Sequence, residues 1–237
     1  MILLTVPPES NSKTSTMTPK NISSGSGTSP FLQQHSAPLR IWHWLTFLFI
    51  SGSIVTVLFN STLLSPRDNV KMVQEQLKNK GVNVTDEQAF AVSHEYEDQM
   101  WDVHKLIGFG LTFLLLSRLV IEFTQPEDEK MSNRLKRAMA SAKKNGENKA
   151  EYSHYIRVKY SYLLFFILLS LMALTGLGMA FGRDLGFSRE IHKGLKNIHA
   201  IIQYAMYAFI VIHLAGVIIA ENGKIKGLVS GMINGNR

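Results

Sequence analysis

The chain has 237 residues, 25 Lys and Arg against 18 Asp and Glu, a formal net charge of +7 and no cysteine. Without cysteine there are no disulfides, no thiolate zinc sites, no iron–sulfur ligands and no covalent c-type haem attachment. The basic excess comes with no zinc-finger spacing, no RNP-like aromatic motif and no Gly-rich phosphate loop, so it does not point to nucleic acid.

Hydrophobic residues make up an ordinary 46% of the chain, but they are gathered into blocks. A soluble core would spread them in short periodic patches. Residues 1–38 are rich in Ser, Thr, Pro and Asn and read as a disordered tail. The first residues lack the basic flank and apolar length of a signal peptide, and Met17 is a second candidate start. Residues 39–237 form the remaining domain, which holds four nearly uncharged segments at about 41–59, 103–123, 160–181 and 198–220. Each has about the 20 residues that an α-helix needs to cross roughly 30 Å of hydrocarbon. One such segment has a plainer reading as a buried soluble helix; four in so short a chain do not. The expected fold is all-α, an integral membrane four-helix bundle in contact with lipid.

The connections set the expected orientation. Residues 60–102 are acidic, with Asp68, Glu75, Asp86, Glu87, Glu95, Glu97, Asp98 and Asp102. Residues 124–159 are basic, with Lys130, Arg134, Lys136, Arg137, Lys143, Lys144, Lys149, Arg157 and Lys159. Cytoplasmic loops carry the excess of Lys and Arg. The basic link and both termini, tail 1–38 included, are therefore expected in the cytoplasm, and the acidic loop outside. The short link 182–197 opposes this pattern with Arg183, Arg189, Lys193 and Lys196. Within the acidic loop, Thr85 followed by Gln88 has the form of a capping box and predicts a helix from about Asp86 that feeds into the second span.

The histidines carry the chemistry. Metal-binding or ionisable side chains inside a span are costly and are functional candidates by default. His43 lies near the inner end of the first span, His104 near the outer end of the second, and the third has none. In the fourth, His199 and His213 are fourteen residues apart. That is nearly four turns, so they share a face and stand roughly 21 Å apart along the axis. Alternating helix direction pairs His43 with His213 on the inner side and His104 with His199 on the outer side. Two facing imidazoles are the axial ligands of a six-coordinate haem iron. Zinc usually takes four protein ligands, and no Asp or Glu lies near these pairs within the spans, since Glu122, at the inner end of the second, reads as interfacial. A structural histidine bound to a carbonyl is the plainer reading of any one of them, and a poor reading of four in register. A histidine-lined metal-ion or proton transporter is the alternative from a different class. Transporters usually show internal repeats or broken helices, and no convincing repeat is present.

Around the histidines, Gly108 lies one turn from His104 on its face and admits a bulky cofactor. Arg40, one turn before His43, and Arg118, near the inner end of the second span, are candidates for haem propionates; snorkelling to headgroups is the equal alternative. Trp42, Trp44, Trp101, Tyr160 and Tyr162 read as interfacial belt residues. His192 is a rival to His199 at a depth that falls among the headgroups, where a propionate or quinone is its alternative partner. His35, His94 and His154 fall in polar segments and are expected to be solvated.

Arg40-Ile-Trp-His43-Trp44 in the first span, His104-Lys-Leu-Ile-Gly108 in the second, Leu174-Thr-Gly176 in the third and the His199/His213 pair in the fourth resemble the prokaryotic cytochrome b561 family. That family is similar to the b-type cytochrome subunits of nickel–iron hydrogenases and formate dehydrogenases. The resemblance covers about residues 38–237. It implies two b haems and electron exchange with the quinone pool in a bacterial inner membrane, as a component of a quinone-linked oxidoreductase. Carried over, it assigns His43 and His213 to the inner haem and His104 and His199 to the outer one. The Ser/Thr-rich tail and long acidic outer loop depart from the pattern. That loop is the surface on which a periplasmic or membrane redox subunit would dock.

Overall fold

The computed structural model describes residues 36–124, 130–144, 149–223 and 227–235. The expected tail therefore lies almost wholly outside the described residues, as does His35. Among the described residues the chain is helical throughout, in the order α1 (Ala37–Thr62), α2 (Pro66–Lys78), α3 (Asp86–Thr124), α4 (Met131–Lys144), α5 (Lys149–Phe181), α6 (Arg189–Asn222) and α7 (Leu228–Ile233). Four of these, α1, α3, α5 and α6, are long and apolar enough to cross a membrane. The all-α membrane bundle is what the apolar blocks predict.

Local chemistry sets the helix starts. Pro sits in the first turn of α1 and of α2, where its missing N–H would have had no partner. The α3 start is a full capping box: Gln88 N–H donates to Thr85 Oγ1 at 3.3 Å and Thr85 N–H donates to Gln88 Oε1 at 3.0 Å. At α6, the Ser188 hydroxyl accepts from Ile191 N–H at 3.3 Å.

The helices outrun their apolar segments. With 39 residues, α3 is about 58 Å long, nearly twice the hydrocarbon thickness. Its polar N-terminal part packs against α2 as an antiparallel hairpin beyond the bundle. Ala89 and Ser93 are buried there, and Gln74 Nε2 donates to Asp86 Oδ1 at 2.7 Å. The acidic link is thus structured along most of its length. The basic link likewise holds α4 and the first turns of α5, and α6 begins nine residues before its apolar segment.

The bundle core is small. Leu115 of α3, Phe166 and Leu169 of α5 and Met206 of α6 are buried together. Trp42 of α1 stacks on Phe166 with ring centroids 5.6 Å apart and donates from Nε1 to the Leu114 carbonyl at 2.9 Å. Trp42 is therefore a core residue and not part of an interfacial belt. Tyr162 departs from that expectation in the same way, since its hydroxyl accepts from Arg118 Nε at 2.8 Å. Most large apolar side chains face outward: Phe113 is 71% exposed, Ile212 71% and Ile219 73%. In water each would forfeit about 1.5–3 kcal/mol of burial; in lipid the exposure has no such cost.

Side by side, α1 packs on α3, α3 on α5 and α5 on α6, while α6 stands off from α1 and α3. The short α7 returns to the start of α1, where Trp44 Nε1 donates to the Met232 carbonyl at 2.9 Å and Arg40 Nη1 to the Ile233 carbonyl at 3.4 Å. The Glu221 carboxylate caps the turn into α7, accepting from the N–H groups of Gly227, Leu228 and Val229. The end of α6 and the start of α1 therefore lie at the same end of the bundle.

Candidate functional site

Two of the candidate histidines, His104 and His199, are placed by contacts between helices. His104 of α3 and His199 of α6 stand at the same end of the bundle, where α1 runs into α2 and α5 runs into α6. Both are partly buried, and both are held from outside their own helix. The Nδ1 of His104 is 2.8 Å from Thr56 Oγ1 of α1. The Nδ1 of His199 is 2.8 Å from Thr175 Oγ1 of α5. Both threonines are buried. A threonine thus engages Nδ1 of each ring, and the Ser53 backbone also hydrogen-bonds the His104 ring. Trp101 stands edge-on to His104 with centroids 5.5 Å apart and is anchored through Nε1 to Glu97 Oε1 at 3.2 Å.

The glycines divide by function. A Cβ added at Gly108 meets nothing within 4 Å. Open space thus lies one turn from His104. By contrast, a Cβ at Gly110 would strike the Phe49 ring, one at Gly178 would lie 3.0 Å from Leu195, and one at Gly52 would lie 3.3 Å from Ile107. These three let helices close on one another. Gly176 lets α5 approach the His199 ring, with Cε1 at 3.5 Å from such a Cβ.

At the other end, His43 is partly buried, with Trp44 edge-on at 5.5 Å. His213 is exposed on α6 and stacks on Phe209, centroids 6.1 Å and planes 5° apart. The two histidines share an end of the bundle through the α7 return. Arg40 shares this end; its Nη1 binds the Ile233 carbonyl, while among the described residues its buried Nε has no hydrogen-bond partner. Arg118 is engaged between helices, with Tyr162 at 2.8 Å and Glu122 at 3.8 Å. Glu122 also accepts from Met131 N–H at 2.6 Å.

The remaining histidines fall outside these clusters. His192 is exposed in the first turn of α6, seven residues and about 10 Å before His199. His94 is exposed and pairs with Asp98 at 3.0 Å. The side chain of His154 lies outside the described residues.

Among the described residues no group of three or more His, Asp or Glu side chains gathers as a metal-ion site. A bare zinc ion needs three or four such ligands. A haem iron takes four from the macrocycle and needs only two from the protein. Two imidazoles on different helices, each held through Nδ1 by a buried threonine, with open space at Gly108 one turn from His104, fit that requirement.

The family model for prokaryotic cytochrome b561 matches residues 34–235. The chain belongs to the prokaryotic cytochrome b561 family. Haem b and transmembrane electron transfer come with that membership, and four apolar helices make this a multi-pass membrane protein. Comparison with curated proteins and with solved structures gives no significant match.

Sequence reasoning missed Thr56, Thr175 and Trp101 as neighbours of the site. Thr175 sits inside the Leu174-Thr-Gly176 motif that marks the third span. The span without a histidine thus supplies a histidine's partner. Thr56 carries no comparable signal, being one of many small polar residues in α1.

Proposed function

We propose that this cytochrome b561 carries electrons across a bacterial inner membrane through two b haems. His104 and His199 ligate one near the outer face, and His43 and His213 ligate the other near the cytoplasmic face. When bound, each haem supplies one-electron Fe(III)/Fe(II) chemistry. The chain's own groups hold and insulate those centres. Each pair brings imidazoles from two helices, and α6 bridges the two levels because it carries one ligand of each. Apolar side chains of α1, α3, α5 and α6 keep water from the path between them.

The observation that supports this reading best is the His104–His199 cluster, with each Nδ1 bonded to a buried threonine of a neighbouring helix. Orientation follows from charge: both termini and the 124–159 link face the cytoplasm, and the acidic α2–α3 hairpin faces outward. Electrons exchange with the quinone pool near the inner haem, where Arg40, Arg118 and Glu122 are the polar candidates. The partner on the other side is a periplasmic or membrane redox subunit. Gly108 makes room for the outer haem, and Arg40 and Arg118 balance propionate charge at the inner one.

Haem quantification and redox titration of single alanine variants in membranes test the assignment. His104→Ala and His199→Ala should deplete one haem with matching spectra, and His43→Ala and His213→Ala the other. His192→Ala should keep both. A haem-free wild-type protein would instead favour the transporter reading. Loss of haem in His192→Ala with retention in His199→Ala would overturn the outer pair.

A further inference from the structure

Thr56 and Thr175 sit in the same local arrangement at the same end of the bundle, on two different helices. The Thr56 hydroxyl lies 2.7 Å from the Ser53 carbonyl oxygen and 2.8 Å from His104 Nδ1. The Thr175 hydroxyl lies 2.7 Å from the Leu171 carbonyl oxygen, 3.1 Å from that of Met172 and 2.8 Å from His199 Nδ1. A hydroxyl has one proton to give and lone pairs to accept with. A carbonyl oxygen can only accept. A threonine proton given to its own helix backbone leaves the hydroxyl to accept from the histidine. With each hydroxyl accepting, both rings would carry hydrogen on Nδ1 and present a bare lone pair on Nε2.

Three further features make this a built arrangement. Both threonines are buried, at 4% and 7% exposure, so water does not compete for the hydroxyl. Threonine back-bonded to a carbonyl three or four residues earlier is stiff at χ1, so the oxygen is fixed before any ligand arrives. Each threonine also reaches across to a histidine of the neighbouring helix, α1 to α3 and α5 to α6, so helix packing itself aims the rings.

We infer that Thr56 and Thr175 are paired positioning residues that fix the tautomer and aim of His104 and His199 and set the reduction potential of the haem those histidines bind. The inference rests on the assignment of His104 and His199 as ligands of one haem. An Nδ1–H that donates to a carbonyl-polarised hydroxyl pushes electron density onto Nε2. Such outer partners raise ligand basicity, and removing one typically costs 10–100-fold in metal affinity. A more basic axial nitrogen favours the ferric ion over the ferrous. Loss of either threonine hydroxyl should therefore raise that haem's midpoint potential. A tenfold loss borne by the ferric form alone corresponds to about 59 mV for one electron.

The test uses the full-length protein in native membranes, with Thr56→Val, Thr175→Val, the double valine variant, Thr56→Ser and Thr175→Ser beside wild type. Each valine should raise the potential of one haem by tens of millivolts, in the direction of about 59 mV per tenfold. It should also make that haem more extractable. The second haem should keep its potential and serves as the internal control for folding. The double variant should shift the same haem further, and the serines should restore wild-type values. Where a valine variant does not accumulate, the alanine at the same position is read in its place. Unchanged potentials in haem-replete valine variants would overturn the inference, as would shifts of both haems together or serines that behave like valines. His104→Ala and His199→Ala, assayed in parallel, separate this from the underlying assignment: if both keep two haems, the ligand assignment itself has failed.

Discussion

The division of glycines leads to a quantitative contrast between two positions two residues apart on α3. At Gly108 a Cβ meets nothing within 4 Å, whereas at Gly110 it would strike Phe49 of α1. Alanine improves on glycine in a helix interior by about 1 kcal/mol. At Gly108 that gain is unopposed in the haem-free chain. At Gly110 it is opposed by overpacking of about 1–3 kcal/mol, because Phe49 has to leave its place against α3. Gly108→Ala should therefore be neutral to about 1 kcal/mol stabilising. Gly110→Ala should be destabilising by up to about 2 kcal/mol, the difference of the two effects. Thermal unfolding of haem-stripped protein in detergent, followed by tryptophan fluorescence, should rank them in that order. Haem content should respond differently. Gly108→Leu places a bulky chain in the open space beside His104 and should cost one haem by pyridine-haemochrome assay, while the stripped protein stays folded. A Gly108→Leu variant with wild-type haem content and an unchanged Soret band would refute the reasoning, because the space beside His104 would then not be where the macrocycle lies.

Reporter fusions after Met131 and after Glu75 should report opposite sides of the membrane, since the first lies in the basic link and the second in the acidic hairpin; matching signals would reverse the orientation argument. Thr85→Ala should remove the capping box at a cost of about 1 kcal/mol, seen as faster amide exchange over the first turn of α3 with haem content untouched; protection equal to wild type would mean that the cap is not holding the helix end. Tyr162→Phe removes the acceptor for Arg118 and should weaken the α3–α5 contact by about 1–2 kcal/mol, read as earlier detergent unfolding with both haems still bound; haem loss without loss of stability would instead place Arg118 on a propionate.

Apolar length and charge asymmetry are properties of the chain that survive any packing, and so α1, α3, α5 and α6 are legible as spans from the amino-acid sequence alone. The same holds for the capping box at Thr85 and Gln88, whose partners lie three residues apart. The shared face of His199 and His213 follows from helix periodicity. What the sequence could not show depends on side chains from separate helices meeting. Trp42 and Tyr162 look like belt aromatics by position, but the first is drawn inward by Phe166 and the Leu114 carbonyl and the second by Arg118. The helix α2 is hidden because its stabilising surface is supplied by α3, which buries Ala89 and Ser93 against it. Nothing local distinguishes Gly108, beside open space, from Gly110, under Phe49, since both are glycines in one apolar run. Thr56 and Thr175 are least legible of all. A threonine in a span reads as a small polar residue bonded to its own backbone, and these two are that. Only the packing of α1 on α3 and of α5 on α6 turns the second face of each hydroxyl toward a histidine, because a hydrogen bond across helices depends on an ångström-scale register that no one-dimensional pattern encodes.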